Sequence, residues 1–300
     1  MSENQPAATP AGNRWLIVVG ALLIQLCLGA IYGWGAFTVA LQNKPADVAL
    51  ALDAELLGVK DRAAYDEMKK EFAALDGALK EAGKGTDAEA IAKAKSAVAA
   101  FKKERLTDAW IAQTFDETKF RKQVFAFSGT ETQWIFSAGL AAFALVMILA
   151  GRWQDKAGPR IVALTGGIVL GSGYLLAGLI GGTSFLPILV LVGLVGGAGI
   201  GLGYVCPIAA SVKWFPDMKG FITGLAVAGF GAGAFIFVKL AGEWANLIKM
   251  HGVSHTFVVF GIIFLVGVVV GALLLSNPPA GYKPAGWNPP QPAGGAKKAV

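Results

Sequence analysis

The chain has 300 residues, 55% of them hydrophobic and only 15% charged, and a mean hydropathy of +0.57. That balance excludes a water-soluble protein, whose surface needs more charge than this, and favours a chain that crosses a membrane several times. The net charge of +6 does not signal nucleic acid, because Lys/Arg and Asp/Glu are equal in number between Gln42 and Thr130 and no basic helix with interleaved aromatics occurs elsewhere.

Residues 1–14 are polar, with no run of positive charge and no small-residue cleavage site behind a short apolar core. The following run, 15–41, is therefore read as an uncleaved first span, opened by Arg14 and the interfacial Trp15. Gly29 and Gly33 fall four apart in it and predict close approach of a neighbouring helix. Gln25 and Tyr32 are its polar members, Gln25 for an interhelical hydrogen bond and Tyr32 for packing or for lining a polar cavity. Cys27 and Cys206 both sit inside apolar runs and read as small buried residues, not as a disulfide or a metal pair.

Residues 42–128 are a different material, rich in Ala, Glu, Lys and Leu. Apolar residues recur three to four apart over Asp53–Lys80 and Asp87–Ala112, which predicts two helices forming a hairpin outside the membrane. Gly77 weakens the first near its end, and Thr86 or Asp87 caps the second. The carboxylates are spread around the helices as solubilising partners would be, with no catalytic cluster.

Apolar runs then recur through residues 129–276. The second span is expected over 129–150 and the third over 161–180, joined by the charged ten-residue loop Gly151–Arg160. The fourth, 185 to about 212, carries Gly193, Gly197 and Gly201 four apart, a smooth stripe on one helical face, with Pro207 expected to kink it or end its regular hydrogen bonding. A second charged loop, Lys213–Gly220, leads to the fifth span, 221 to about 240. There Gly224 and Ala228 are again four apart, and Lys239 and Glu243 form an i,i+4 pair. The sixth span is expected over 257–275, with His251 and His255 in the loop before it. Asn277-Pro278-Pro279 stops it, and 277–300 reads as a disordered Pro/Gly-rich tail.

With six spans, Arg14, both charged loops and the lysines of the tail fall on one side. Basic residues mark the cytoplasmic side, so both termini are expected there and the hairpin outside, in a multi-pass protein of the inner (plasma) membrane. The fold class is an all-α membrane protein of six transmembrane helices plus an extracytoplasmic helical hairpin. No nucleotide-cradling loop, metal-ligand set or nucleophile–base pair is spaced for chemistry, so neither a cofactor nor an enzymatic activity is expected.

Gly151-Arg152-Trp153-Gln154-Asp155-Lys156-Ala157-Gly158-Pro159-Arg160 resembles the signature Gly-x-x-x-Asp-Arg/Lys-x-Gly-x-Arg/Lys between the second and third helices of the major facilitator superfamily. In that pattern Gly151 allows close approach, Asp155 meets a helix N-terminus or an arginine, Gly158 keeps its place, and Lys156 and Arg160 hold the loop at the cytoplasmic face. Within the superfamily the chain is similar to the oxalate/formate antiporter family. The likeness rests on Asn13-Arg14-Trp15 and Gly29-Ala30-Ile31-Tyr32-Gly33-Trp34, on Gly199–Tyr204, and on Lys213–Gly220 leading to Gly229-Phe230-Gly231. It covers the six spans and the start of the tail and leaves the hairpin as an insertion.

The resemblance implies transport of a small carboxylate such as oxalate, formate, pyruvate or lactate, by antiport and alternating access, with Tyr32 and Tyr204 facing the substrate. Phe230 stands where the family's oxalate transporter has another tyrosine, and Ile31 where it has a glutamine, which favours a monocarboxylate. The family has twelve helices and keeps its substrate-binding cations in the second half. This chain therefore reads as the N-terminal six-helix half, completed by a second half or by self-association, with membrane lipid and a carboxylate as its other partners. The alternative is a truncated or non-transporting membrane anchor that presents a periplasmic helical interaction module.

Overall fold

The computed structural model describes residues 13–284 and 287. Apart from one antiparallel bridge between Val59 and Phe115, the regular structure of these residues is helical. Six helices are long and apolar enough to cross a membrane: Trp15–Leu41, Gly129–Ala157, Pro159–Ile180, Phe185–Trp214, Lys219–Gly242 and Leu247–Leu274. About 20 residues suffice for a hydrocarbon core of roughly 30 Å, so each has turns to spare.

The first and fourth spans form the centre. The first packs on the fourth, fifth and sixth, the fourth packs on the first, second and third, and the third and sixth lie against each other. Exchanging spans one to three with spans four to six leaves that pattern unchanged, as expected of two three-helix repeats.

Glycine makes this packing possible. A methyl group on Gly193 or Gly201 would come within 3.0 Å of the Ile135 carbonyl oxygen or 2.7 Å of the Phe143 carbonyl oxygen, and one on Gly197 would strike the Gly139 carbonyl. The predicted stripe thus lies backbone to backbone on the second span, one turn per contact. Gly29 meets the Phe230 carbonyl in the same way, whereas Gly33 makes only ordinary contacts, the nearest at 3.6 Å. Gly224 differs from expectation: nothing lies within 4 Å of the place its methyl would take, so it faces away from the bundle.

Several boundaries move. The second span runs on to Ala157 and the third begins at Pro159, so the expected ten-residue loop is a corner of one residue. Gly158 makes that corner at φ +86°, a conformation only glycine adopts without strain, and Pro159 starts the next helix with its preset φ. Pro207 lies inside an unbroken helix, Gly197–Trp214. The irregular turns lie elsewhere: a π-helical stretch over Leu189–Gly196 in the fourth span, and a 3-10 stretch over Gly29–Trp34 in the first. The sixth span starts ten residues early, at Leu247, and absorbs a break at Gly252, where φ is +78°. His251 and His255 therefore belong to this helix and not to a loop, with ring centroids 4.9 Å apart.

The insert is more than a hairpin. Its long helices are Arg62–Lys84 and Ala88–Glu104, and four short ones accompany them: Pro45–Ala51, Ala54–Leu57, Asp108–Thr114 and Glu117–Arg121. Gly58, left-handed at φ +65°, ends one of these, so the predicted helix from Asp53 breaks there and restarts at Arg62. Gly77 interrupts nothing. The short helices close a core of their own around Leu57, Tyr65, Met68, Phe101, Phe115 and Phe120.

The tail begins in contact with the bundle and not free of it. The Trp214 indole donates to the Ser276 carbonyl at 2.8 Å and stacks edge-on with Tyr282 at 5.0 Å. The rest of the expected Pro/Gly-rich tail, like most of residues 1–14, lies outside the described residues.

Candidate substrate-binding face

Away from the third and sixth spans, aromatic rings from four other spans meet. Tyr32 of the first span lies 5.6 Å from Phe230 of the fifth and 6.3 Å from Phe136 of the second, centroid to centroid. Tyr204 of the fourth lies 5.1 Å from Phe230 and 5.3 Å from Phe143. Each pair stands edge to face, the arrangement that ring quadrupoles favour. The cluster is anchored from behind by close backbone packing, since Gly29, one turn before Tyr32, lies against the Phe230 carbonyl.

Exposure differs sharply within the group. Phe230 is buried at 7% and serves as the ring on which both tyrosines lean, whereas Tyr32 is 52% exposed. Tyr204 is half-buried. Ile31, the neighbour of Tyr32, turns the other way and lines a void of about 20 Å³ behind Phe136 with Trp34 and Tyr174. The face thus offers two phenol groups on an apolar floor. A phenolic hydroxyl can donate one hydrogen bond to a carboxylate oxygen, and a phenylalanine can only shape the space.

Gln25 is fully buried beside this floor. Its side-chain amide donates to the Tyr204 carbonyl at 3.4 Å, and its Oε1 has no partner among the described residues. The expected interhelical bond is present, in a weak form. Phe136 and Phe143 are not among the expected site residues, although their seven-residue spacing on one helical face is the available signal.

The motif end of the bundle lies at the opposite pole from the insert. Arg160 donates through Nε to the Leu275 carbonyl at 3.0 Å and ties the third span to the end of the sixth. Arg14 forms a two-pronged pair with Asp217, at 3.0 and 3.1 Å, and its guanidinium lies 4.2 Å from the centre of the Phe215 ring. Asp217 raises the Arg14 pKa, chiefly by accepting this hydrogen bond. Lys213 reaches the Asn277 side chain at 3.3 Å. Asp155 and Lys156 are exposed. Among the described residues Asp155 has neither the arginine nor any other ion-pair partner, and the space around Gly151 is open, so the close approach expected of that glycine is not made within this chain.

Comparison with known proteins bears on what this face serves. The Major Facilitator Superfamily profile matches residues 106–298. Apicoplast pyruvate carrier 1 of Toxoplasma gondii is 27% identical over 242 residues, which cover 80% of this chain and 37% of that protein. The oxalate:formate antiporter of Oxalobacter formigenes is 30% identical over 128 residues, 43% of this chain and 29% of that protein. Monocarboxylate transporter 13 of Rattus norvegicus is 29% identical over 150 residues, 50% of this chain and 34% of the relative. The chain thus spans about a third of the length of these relatives. The profile covers more than half of the chain, and six membrane-length helices in paired threes agree with it. This multi-pass membrane protein belongs to the major facilitator superfamily.

Proposed function

We propose that this chain forms one six-helix half of a transporter for small carboxylates, with its aromatic face turned toward a complementary half across a central cavity. The observation that carries the reading is the convergence of Tyr32, Tyr204 and Phe230, from three different spans, on one open face. The relatives named above, carriers of pyruvate, of oxalate and formate, and of monocarboxylates, supply the substrate class. One hydroxyl fewer at Phe230 favours a monocarboxylate such as pyruvate, lactate or formate over oxalate.

A carboxylate stripped of water at mid-membrane needs a cation, and two phenols do not offset that cost. The cation comes from the complementary half, supplied by further sequence or by a second, different chain. Transport is antiport by alternating access, in which this half rocks as a body against its partner. The backbone-tight packing of the fourth span on the second, and of the first on the fifth, suits a unit that moves without internal rearrangement. Both charged corners and Arg14 share the pole opposite the insert, which supports a cytoplasmic position for that pole and an outward insert in the inner membrane.

The test is exchange of labelled pyruvate, lactate, formate and oxalate in vesicles carrying the chain alone or with a co-expressed complementary half. Exchange is expected only in the second case, weakened by Tyr32→Phe or Tyr204→Phe. Exchange by a demonstrably monomeric chain overturns the half reading, and unchanged affinity in both variants overturns the assignment of the face.

A further inference from the structure

At the insert pole, on the side of the third and sixth spans, lies a cavity of about 490 Å³ that takes no part in the aromatic face. Arg121, which ends the last short helix of the insert, and Lys122 just after it line one side, and His251 and His255 of the sixth span also line the space. Four side chains able to carry positive charge thus converge on one space, and no Asp or Glu lines it. The nearest acid known to engage them, Glu117, pairs with Arg121 at 2.7 Å on the exposed surface. Lys122 has no ion-pair partner among the described residues.

The geometry is held by a built joint. Gly252 breaks the sixth span at φ +78°, and the Gln123 Oε1 occupies the space a methyl group would need there. Thr256 closes the turn by donating to the Gly252 carbonyl at 2.8 Å. This joint seats the end of the insert against the sixth span, one residue from Lys122. A cleft lined by cationic and N–H-bearing groups with no lining carboxylate favours an anion.

The other end of the cavity is of different character. Gly178 and Leu179, from the last turn of the third span, form its membrane side, and Leu179 and Ile180 are exposed to whatever surrounds the bundle. Thr183 and Ser254 add hydroxyl donors between the two zones. The cavity is therefore graded, from cations at the insert to hydrocarbon-facing residues at the span. Neutral imidazole still offers one N–H donor, so the histidines serve an oxyanion in either protonation state.

We propose that this cavity is a phosphate-oxyanion site at the membrane interface, separate from the transport face, whose ligand is an anionic phospholipid headgroup or free inorganic phosphate. Lys122 and the two histidines make the principal contacts, Thr183 and Ser254 assist, and the apolar sill at Leu179 accommodates an acyl chain when the source is a lipid. Occupancy would tie the insert to the sixth span.

The experiment uses the full chain in neutral detergent micelles. Thermal unfolding is followed while phosphatidylglycerol, phosphatidylcholine or inorganic phosphate is added at constant ionic strength. An unfolding temperature that rises saturably with phosphatidylglycerol and not with phosphatidylcholine supports a lipid source. A rise with inorganic phosphate as well supports the free anion. Lys122→Gln should weaken the apparent affinity by about fivefold, in keeping with one cation near a charged surface, and Lys122→Arg should restore it. His255→Gln should weaken it by a smaller factor, through the altered donor geometry. Neither variant touches the aromatic face, so both should leave unfolding without added anion near the parent value. The proposal fails if neither phosphatidylglycerol nor phosphate acts beyond the controls. It fails equally if the response survives in the Lys122→Gln/His255→Gln double variant while that variant still folds.

Discussion

The bundle and the insert, joined in one chain, are held together by different means. In the insert, four of the six helix starts are capped by side chains: Asp61 accepts from the Ala64 amide, Asp87 from Glu89 and Ala90, Thr107 from Trp110 and Asp116 from Lys119. Salt bridges such as Arg105–Glu71 and Lys102–Asp47 decorate its surface, and large apolar side chains fill its core. In the bundle, the helices that begin at Trp15, Pro159, Lys219 and Leu247 have no side-chain cap at all, and backbone meets backbone through glycine. The second span obeys both rules. It starts at the insert pole with a Ser128–Glu131 capping box and then packs through Gly139. Lipid tails are as apolar as leucine, so helices in a bilayer gain little by hiding side chains and much by close van der Waals fit, whereas in water apolar burial and caps dominate.

The largest effect that would break this comparison sits in the glycine stripe. Gly197→Val should prevent the second and fourth spans from meeting, because its side chain would enter the Gly139 carbonyl. The expected outcome is loss of monodisperse protein on size exclusion in detergent, since overpacking of this kind costs about 1–3 kcal/mol even for smaller insertions. Gly77→Ala in the insert, where nothing lies within 4 Å, should be neutral or stabilise its helix by up to about 1 kcal/mol. Equal tolerance at both glycines would remove the distinction.

What could be read from the sequence follows the same division. Length and apolarity were enough for the six spans, because a hydrocarbon slab imposes one dimension on all of them, and the four-residue spacing of Gly193, Gly197 and Gly201 disclosed its own contact. Tyr32, Tyr204 and Phe230 were picked out by likeness to a family, and spacing within any one span could not have brought them together. The corner at Gly158 is local, a glycine at positive φ followed by the helix-starting Pro159, and was within reach of the sequence. The break at Gly252 in the early part of the sixth span is instead held by a distant neighbour, Gln123, and hydropathy carries no record of that. Gly224 shows the converse error. Four-residue spacing of small residues does not by itself make a contact, because a glycine stripe has a partner only if a helix happens to lie there.

Two intermediate effects sharpen the contrast at its polar contacts. Tyr65 is buried in the insert core and donates to the Leu52 carbonyl at 3.1 Å, so Tyr65→Phe should cost about 1 kcal/mol in urea unfolding followed on the insert. Burial pushes its phenol up to about 12. A raised folded-state pKa stabilises fully below the unfolded value of about 10 and is lost as pH climbs through the folded one, so the insert should weaken between about pH 10 and 12. Tyr65→Phe should flatten that alkaline decline; a decline of the same depth in the variant would assign it to another group. At the motif pole, Asp217→Asn should loosen the Arg14 clasp and lower stability by about 0.5–1 kcal/mol, as partly exposed pairs do. Its effect should shrink in high salt, which the Tyr65 effect should not.

The smallest effect tests the open face of the fifth span. Gly224, Ala228 and Gly231 are exposed there, and a methyl on either glycine meets nothing within the chain. For the chain alone, Gly224→Ala should leave thermal unfolding unchanged or raise it slightly, by the helix preference of alanine, about 0.5–1 kcal/mol. If a complementary six-helix half docks on this side, the same methyl should lower recovery of the assembled pair in co-purification while leaving the single chain untouched. Gly77→Ala serves as the control that no docking should sense. A Gly224→Ala chain that co-purifies as well as its parent would separate the exposed stripe from assembly and leave the aromatic face alone as the meeting surface.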